Sequence, residues 1–131
     1  VYSRTRYEPN PWPAALRPVR ERLREALGIE FNSVLANRYR NGGDAMGWHS
    51  DDEPELGLRP VIASVSLGAT RRFGVKSRAE AGDHLALDLP HGSLLVMSGE
   101  TQTHYRHSLP RTSRAVGERI NLTFRRIRLR D

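Results

Sequence analysis

In the stretch "ERINLTFRR" (residues 118–126), polar and apolar side chains alternate from Arg119 to Arg125. Side chains of an extended chain point alternately to opposite faces, so this pattern predicts a β-strand with one apolar and one polar face. The apolar face carries Ile120, Leu122 and Phe124. The polar face carries Arg119, Asn121, Thr123 and Arg125. A polar face of this kind ordinarily points into solvent, and the strand taken alone predicts no more than that.

Similar alternation recurs along the chain and predicts a mostly β protein. Turn-forming Gly, Pro, Asn and Asp residues separate strands predicted at residues 33–40, 60–68, 71–76, 84–89, 92–98 and 119–129. The one convincing helix is "NPWPAALRPVRERLREALG" (residues 10–28), which Asn10 can cap and Gly28 can end. Short strands with a single helix favour a β-sandwich or a jelly-roll barrel over a parallel α/β sheet. We expect residues 1–131 to form one domain.

The composition excludes several classes of site. The 131 residues include no cysteine, which rules out disulfides, thiolate nucleophiles and iron–sulfur clusters, so a metal site must use His, Asp and Glu. Lys and Arg number 21 against 15 acids, and nearly all the basic residues are Arg, so the net charge of +6 favours an anionic partner such as nucleic acid. No apolar run approaches a membrane span and no leader resembles a signal peptide, so we expect a soluble protein without membrane association.

The stretch "GWHSDDE" (residues 47–53) gathers an imidazole and three carboxylates directly after a glycine and a tryptophan. In an extended segment His49 and Asp51 point the same way and would offer two ligands to one metal ion. Candidates for a third ligand are His84, His91, His104 and His107. Among these we favour His107, but the residues alone do not decide between the four. With any of them, two histidines and a carboxylate would leave three positions of Fe(II) open for a chelating co-substrate and O₂. An H-x-D triplet alone is a weak signal, since it occurs more often in exposed acidic turns.

A second polar strand changes the interpretation of residues 119–125. "LANRY" (residues 35–39) places Asn37 and Tyr39 on one face, where they offer an amide and a phenol as hydrogen-bonding groups. Arg119 and Arg125 lie about 20 Å apart along an ideal strand. If their side chains lean toward each other, each guanidinium could bind one carboxylate of a short dicarboxylate. These groups together predict a diacid bound beside a metal ion.

Six stretches of the chain resemble, in order and spacing, the AlkB family of Fe(II)- and 2-oxoglutarate-dependent dioxygenases, especially its members that repair alkylated duplex DNA. They are "NRY", "GWHSDDE", "SVSLGATRRF", "HGSLLVM", "HYRHSLP" and "RINLTFR", and the resemblance extends over residues 2–128. It implies a double-stranded β-helix, or jelly roll, with the helix packed on its outside. It also implies that the segment ahead of the helix, which helps to form a lid over the nucleotide in relatives, is largely missing.

The resemblance assigns roles to the polar residues. The implied iron ligands are His49, Asp51 and His107. The choice among the later histidines is thereby settled in favour of His107. Arg119, assisted by Tyr39, resembles the residue that pairs with the distal carboxylate of 2-oxoglutarate. Arg125 and Asn37 resemble residues near the carboxylate that chelates iron. A further implied co-substrate contact is Asn121.

The resemblance also implies contacts with nucleic acid. Asp52 and Glu53 occupy positions that meet the exocyclic edge of the damaged base, and Tyr2 would stack on the flipped base. Two groups of basic residues would contact phosphates. They are Arg71, Arg72, Lys76 and Arg78, which follow the strand predicted at residues 60–68, and Arg111 and Arg114, which lie between "HSLP" and the last strand.

The implied activity is oxidative demethylation of N-alkylated bases in DNA, such as 1-methyladenine and 3-methylcytosine. It uses Fe(II), O₂ and 2-oxoglutarate and releases formaldehyde, succinate and CO₂. We expect a monomer that binds alkylated nucleic acid, in the cytoplasm or in a eukaryotic nucleus. Alternatives are an oxygenase acting on RNA or protein and a noncatalytic nucleic-acid binding module. A zinc hydrolase built on His49, His104 and His107 is weaker, because it leaves the paired arginines unexplained.

Overall fold

The computed structural model describes residues 12–52, 56–57, 59–79 and 82–127. Its strands are β1 (Ser33–Tyr39), β2 (Met46–His49), β3 (Ile62–Gly68), β4 (Arg71–Ser77), β5 (His84–Leu89), β6 (Leu94–Met97), β7 (Tyr105–Leu109) and β8 (Arg119–Arg125). Its helices are α1 (Arg17–Leu27) and the short α2 (Thr101–His104). The strands form two four-stranded sheets, in the orders β1-β8-β3-β6 and β2-β7-β4-β5, and every pairing is antiparallel. The predicted jelly-roll class is confirmed.

Helix α1 is shorter than the predicted segment. A 3₁₀ turn at Ala14–Leu16 precedes it, and the regular helix begins at Arg17 with Pro18 in its first turn, where the missing N–H costs no hydrogen bond. The helix ends at Leu27 and is capped by Gly28, whose φ of 69° lies in the left-handed region that suits glycine. Asn10, the expected cap, lies outside the described residues.

Helix α1 packs on the apolar face of β8. The main buried cluster consists of Leu23, Phe31, Ala63, Leu122 and Phe124. The polar face of β8 therefore points between the two sheets, and Arg119 and Arg125 are 2% and 6% exposed. The usual expectation of a solvated polar face is wrong for this strand, because the helix covers its apolar side.

Two strands were not predicted from the sequence. "MGWH" and "YRHSL", which form β2 and β7, are short and lack the runs of β-branched residues typical of strands. They are strands because β7 lies between β2 and β4 and hydrogen-bonds with both. The last strand is shorter than expected, since β8 ends at Arg125.

A second apolar cluster lies between the sheets. Leu56, Ile62 and Met97 are buried there, and Phe73 from the other sheet packs against them. In the part of the chain that the structure describes, no helix is both long and apolar enough to cross a membrane.

Candidate metal and co-substrate site

Two histidines face each other across neighbouring strands. His49 on β2 and His107 on β7 are register partners, and their ring centroids are 4.3 Å apart. Nδ1 of His49 lies 2.9 Å from the carbonyl oxygen of Gly47. A carbonyl can only accept, so Nδ1 carries the proton and the lone pair of the neutral ring is on Nε2. This hydrogen bond leaves Nε2 of His49 in the form that binds a metal ion.

His107 is buried and chemically suited to metal binding. It is 3% exposed, and the ring of Phe73 stacks on it with centroids 5.5 Å apart. Burial, together with the nearby His49 and Arg125, lowers the pKa of His107 to about 4, although Asp51 acts in the opposite direction. The imidazole is therefore neutral at physiological pH, as a metal ligand must be.

Asp51 is held from two directions. Its Oδ1 accepts a hydrogen bond of 3.0 Å from Nη2 of Arg125, and both side chains are 7% exposed. Its backbone N–H donates to Oε1 of Gln102 over 2.7 Å. The same amide oxygen accepts a hydrogen bond from Nε2 of His107 over 3.1 Å, so Gln102 bridges the segments that carry the two side chains. The lone pair of the neutral His107 ring is therefore on Nδ1.

The predicted ligands lie in one region but do not form a closed cluster. Among the described residues, no three His, Asp or Glu side chains converge closely enough to enclose an ion. Two imidazoles and one buried carboxylate are nevertheless a donor set that fits Fe(II). His49, Asp51 and His107 would hold the ion, and Gln102 and Arg125 would orient Asp51.

Arg119 is a buried cation without a nearby carboxylate in the described part of the chain. Its Nη2 donates to Oγ of Ser66 over 2.9 Å, and its guanidinium carbon lies 5.2 Å from the ring centroid of its register partner Tyr39. Its Nε is buried and has no hydrogen-bond partner among the described residues. Burial lowers the pKa of Arg119 and raises that of Tyr39. A guanidinium desolvated in this way can still donate hydrogen bonds to an anionic ligand.

A chain of polar side chains continues along β8 from Arg119. Oδ1 of Asn121 accepts from Oγ of Ser64 over 2.7 Å, and its Nδ2 donates to Oγ1 of Thr123 over 2.9 Å. Asn37 on β1 is the register partner of Asn121 and is half-buried. The structure thus places all five predicted co-substrate contacts on two neighbouring strands of one sheet, β1 and β8. They are Asn37, Tyr39, Arg119, Asn121 and Arg125.

The predicted substrate contacts are distributed differently. Exposed Asp52 pairs with Arg78 at 3.1 Å, and exposed Arg72 pairs with Asp88 at 3.5 Å. Exposed side chains between β7 and β8 include Arg111 and Arg114. The predicted contacts that lie outside the described residues are Tyr2 and Glu53.

The expectation for Arg71 is corrected by its burial. Arg71 is 3% exposed, and its guanidinium donates to the carbonyl oxygens of Asn41, Asp44 and Pro110 at 3.1, 2.8 and 2.9 Å. A guanidinium committed to three backbone carbonyls inside the fold does not reach a phosphate outside it.

The other histidines lie in different surroundings. His104 has a side chain that is 61% exposed and lies 3.3 Å from Glu100. His91 accepts the backbone N–H of Gly68 over 2.8 Å, and His84 packs edge-on against Trp48. The structure therefore gives no support to the zinc site that requires His104.

Sequence reasoning missed Gln102 and the buried role of Arg71. Gln102 contacts Asp51, which is 51 positions away, and Arg71 contacts carbonyls at separations of 27 to 39 positions. No local pattern signals such contacts. Ser64 and Ser66, two polar residues at alternate positions of an apolar strand, were a signal that could have been used.

Comparisons with known proteins agree with this geometry. Residues 1–125 match the family model described as the 2OG-Fe(II) oxygenase superfamily. The human protein named alpha-ketoglutarate-dependent dioxygenase alkB homolog 3 is 45% identical, over 97% of this chain and 48% of that protein. The bovine protein named DNA oxidative demethylase ALKBH2 is 44% identical, over 97% of this chain and 48% of that protein. The chain thus spans about half the length of these curated relatives.

Similarity to solved structures concerns the fold. The structure of OsALKBH1 superimposes with a TM-score of 0.60 at 23% identity, over 86% of this chain and 60% of that one. A dTDP-4-dehydrorhamnose 3,5-epimerase from Bacillus anthracis superimposes with a TM-score of 0.53 at 13% identity, over 83% of this chain and 61% of that one. An AlkB homologue and an epimerase share this fold, so the fold alone does not identify the family. The family of this chain is shown by the family model and by the relatives of similar sequence. The chain belongs to the 2OG-Fe(II) oxygenase superfamily and, within it, to the AlkB family.

Proposed function

We propose that this chain is an Fe(II)- and 2-oxoglutarate-dependent dioxygenase domain that removes alkyl groups from DNA bases by oxidation. The observation that carries the proposal is the buried guanidinium of Arg119, which has no carboxylate partner among the described residues and retains an unused donor at Nε. Burying an uncompensated cation is costly, and an anionic co-substrate would offset that cost. The names of the relatives, which include a DNA oxidative demethylase, favour the same activity.

The protein's part in this reaction is to bind and orient. His49, Asp51 and His107 would hold Fe(II), which when bound would supply the redox chemistry that couples oxidation of 2-oxoglutarate by O₂ to oxidation of an N-methyl group. Arg125 fixes one oxygen of Asp51 through their 3.0 Å hydrogen bond. Phe73 covers one face of His107 and limits the access of water to it. The residues therefore determine where the oxidation takes place.

The co-substrate is oriented by the polar face of β8. Arg119 pairs with the distal carboxylate of 2-oxoglutarate, and Tyr39 donates its phenolic proton to the same group. Arg125, which also donates to Asp51, and Asn37 would contact the other carboxylate of the co-substrate. Asn121 is held by Ser64 and Thr123, so its amide keeps one orientation beside the diacid. Each charged end of 2-oxoglutarate thereby meets a guanidinium.

The proposed substrate is DNA carrying N-alkylated bases such as 1-methyladenine or 3-methylcytosine. A base within a duplex must be flipped out to reach a buried metal, at a cost of roughly a few kcal/mol. The net charge of +6 and the exposed Arg72, Arg111 and Arg114 favour binding to the phosphate backbone. Asp52 and Glu53 then contact the flipped base, and Tyr2 stacks on it. The protein acts as a monomer, in the cytoplasm or in a eukaryotic nucleus.

A product assay tests this proposal. The protein is incubated with a 1-methyladenine oligonucleotide, O₂ and 2-oxoglutarate, with and without Fe(II), and succinate and formaldehyde are quantified. We expect equal amounts of both products, and only with Fe(II). Methylated RNA and a methylated peptide are parallel substrates, and faster turnover of either would contradict the DNA assignment. Absence of Fe(II)-dependent succinate with every substrate would instead favour a noncatalytic binding module.

A further inference from the structure

We infer that Arg71 is a positioning residue for the end of the site that binds the distal carboxylate, an inference that rests on the proposed function. Arg71 begins β4, in the sheet opposite Tyr39 and Arg119. It is 3% exposed, although a phosphate-binding arginine would reach into solvent. Its burial therefore calls for a role inside the protein.

The guanidinium of Arg71 joins two connections of the fold. Nη1 donates to the carbonyl of Asn41 over 3.1 Å, and Nη2 donates to those of Asp44 and Pro110 over 2.8 and 2.9 Å. Asn41 and Asp44 lie between β1 and β2, and Pro110 directly follows β7. The planar fork of arginine can serve several carbonyls at once, which the single ammonium of lysine does less well. One side chain thus connects the segments that follow Tyr39 and His107.

A second contact between the same connections supports this arrangement. The backbone N–H of Thr112 donates to the carbonyl of Gly42 over 3.0 Å. A Cβ on Gly42 would lie 2.4 Å from the carbonyl oxygen of Thr112, so the two backbones are as close as glycine permits. Arg71 therefore stabilises a close approach between the β1–β2 and β7–β8 connections.

The contact with Tyr39 links this network to the co-substrate. The guanidinium carbon of Arg71 lies 5.7 Å from the ring centroid of Tyr39, and that of Arg119 lies 5.2 Å from the same centroid. Both distances are within the range of cation–π attraction. Tyr39 is itself 6% exposed at the end of β1. Arg71 thus limits the movement of the Tyr39 side chain next to Arg119. Without Arg71, the Tyr39 hydroxyl could move away from the distal carboxylate of 2-oxoglutarate.

The inference is tested by binding of 2-oxoglutarate to Arg71→Met, measured by anaerobic calorimetry with Fe(II) present and no nucleic acid. We expect the dissociation constant to rise about tenfold, the loss expected when one hydrogen bond to a charged group is misaligned. In assays with a 1-methyladenine oligonucleotide, KM for 2-oxoglutarate should rise in parallel while kcat stays within about twofold, because kcat is measured with the co-substrate saturating. Arg71→Lys should bind with intermediate affinity, and it provides the measurement if Arg71→Met does not fold.

Two comparisons separate positioning from general destabilisation. Arg40→Met removes bonds to the carboxylate of Asp44 from the same connection, but at an exposed side chain, and should bind 2-oxoglutarate normally. In a Tyr39→Phe background, Arg71→Met should weaken binding by less than it does in the wild type. The reason is that Arg71 is proposed to act by positioning the Tyr39 hydroxyl, which phenylalanine lacks.

Each outcome has a separate meaning. Equal 2-oxoglutarate affinity of the wild type and both Arg71 variants would overturn the inference alone. Additive effects of the Tyr39 and Arg71 substitutions would overturn the proposed route through Tyr39. Failure of the wild type itself to bind 2-oxoglutarate would overturn the proposed function and this inference with it.

Discussion

At the scale of single residues, the proposed metal site depends on three side chains that come from β2, the segment after it, and β7. We expect His49→Ala, Asp51→Ala and His107→Ala each to abolish Fe(II)-dependent succinate production, because two remaining ligands do not hold the ion and its chelate together. Fe(II) binding by calorimetry checks the cause. The matched control is His104→Ala, which changes an exposed histidine and should remain active. An inactive His104 variant beside an active His107 variant would refute the ligand assignment.

A second residue-scale prediction concerns the diacid. Arg119→Ala should weaken 2-oxoglutarate binding by roughly 2 to 5 kcal/mol, the usual cost of truncating one partner of a buried charge pair. Tyr39→Phe removes one hydroxyl and should have a smaller effect in the same direction. The dependence of succinate formation on 2-oxoglutarate concentration measures both. If this concentration dependence is unchanged in both variants, 2-oxoglutarate does not bind to this face of β8.

At the scale of elements, β8 serves two purposes with its two faces. Its apolar face packs against α1 through Leu23, which is 5% exposed, while its polar face carries Arg119. Leu23→Ala should lower the free energy of unfolding by roughly 2 to 5 kcal/mol, because it leaves a cavity under the helix. Urea denaturation measures the loss, and Arg24→Met on the exposed side of α1 should change little. Well below the melting temperature, KM for 2-oxoglutarate should be unchanged in Leu23→Ala; a large increase would show that the two faces are not independent.

At the scale of the whole molecule, excess positive charge should determine the binding of DNA. Affinity for an oligonucleotide should fall as salt rises, because bound phosphates release counterions. The Arg111→Ala/Arg114→Ala double variant should reduce the slope of log Kobs against log salt by about 2, one unit for each phosphate that the variant no longer binds. Arg22→Ala/Arg24→Ala on α1 removes the same charge and should leave the slope nearly unchanged. Equal slopes in both double variants would show that the β7–β8 connection has no specific role.

Much of the architecture was predictable because its signals are local. The two-residue period identified β1, β3, β4, β5, β6 and β8, and the helical stripe with Gly28 identified α1 and its end. Strands β2 and β7 were missed, since their few residues form strands through neighbours that are distant in sequence. The candidate ligands and co-substrate contacts were named from motifs and a family resemblance.

The sequence by itself determined the alternation of β8, the mostly β class, the H-x-D triplet and the positive charge, because each depends on the order or the number of residues. The tertiary structure decided which face of β8 is interior, because α1 covers the apolar one. It also decided that His107 faces His49 and that Arg71 is buried among backbone carbonyls. Burial and register arise from contacts between residues far apart in the chain, and no local pattern contains that information.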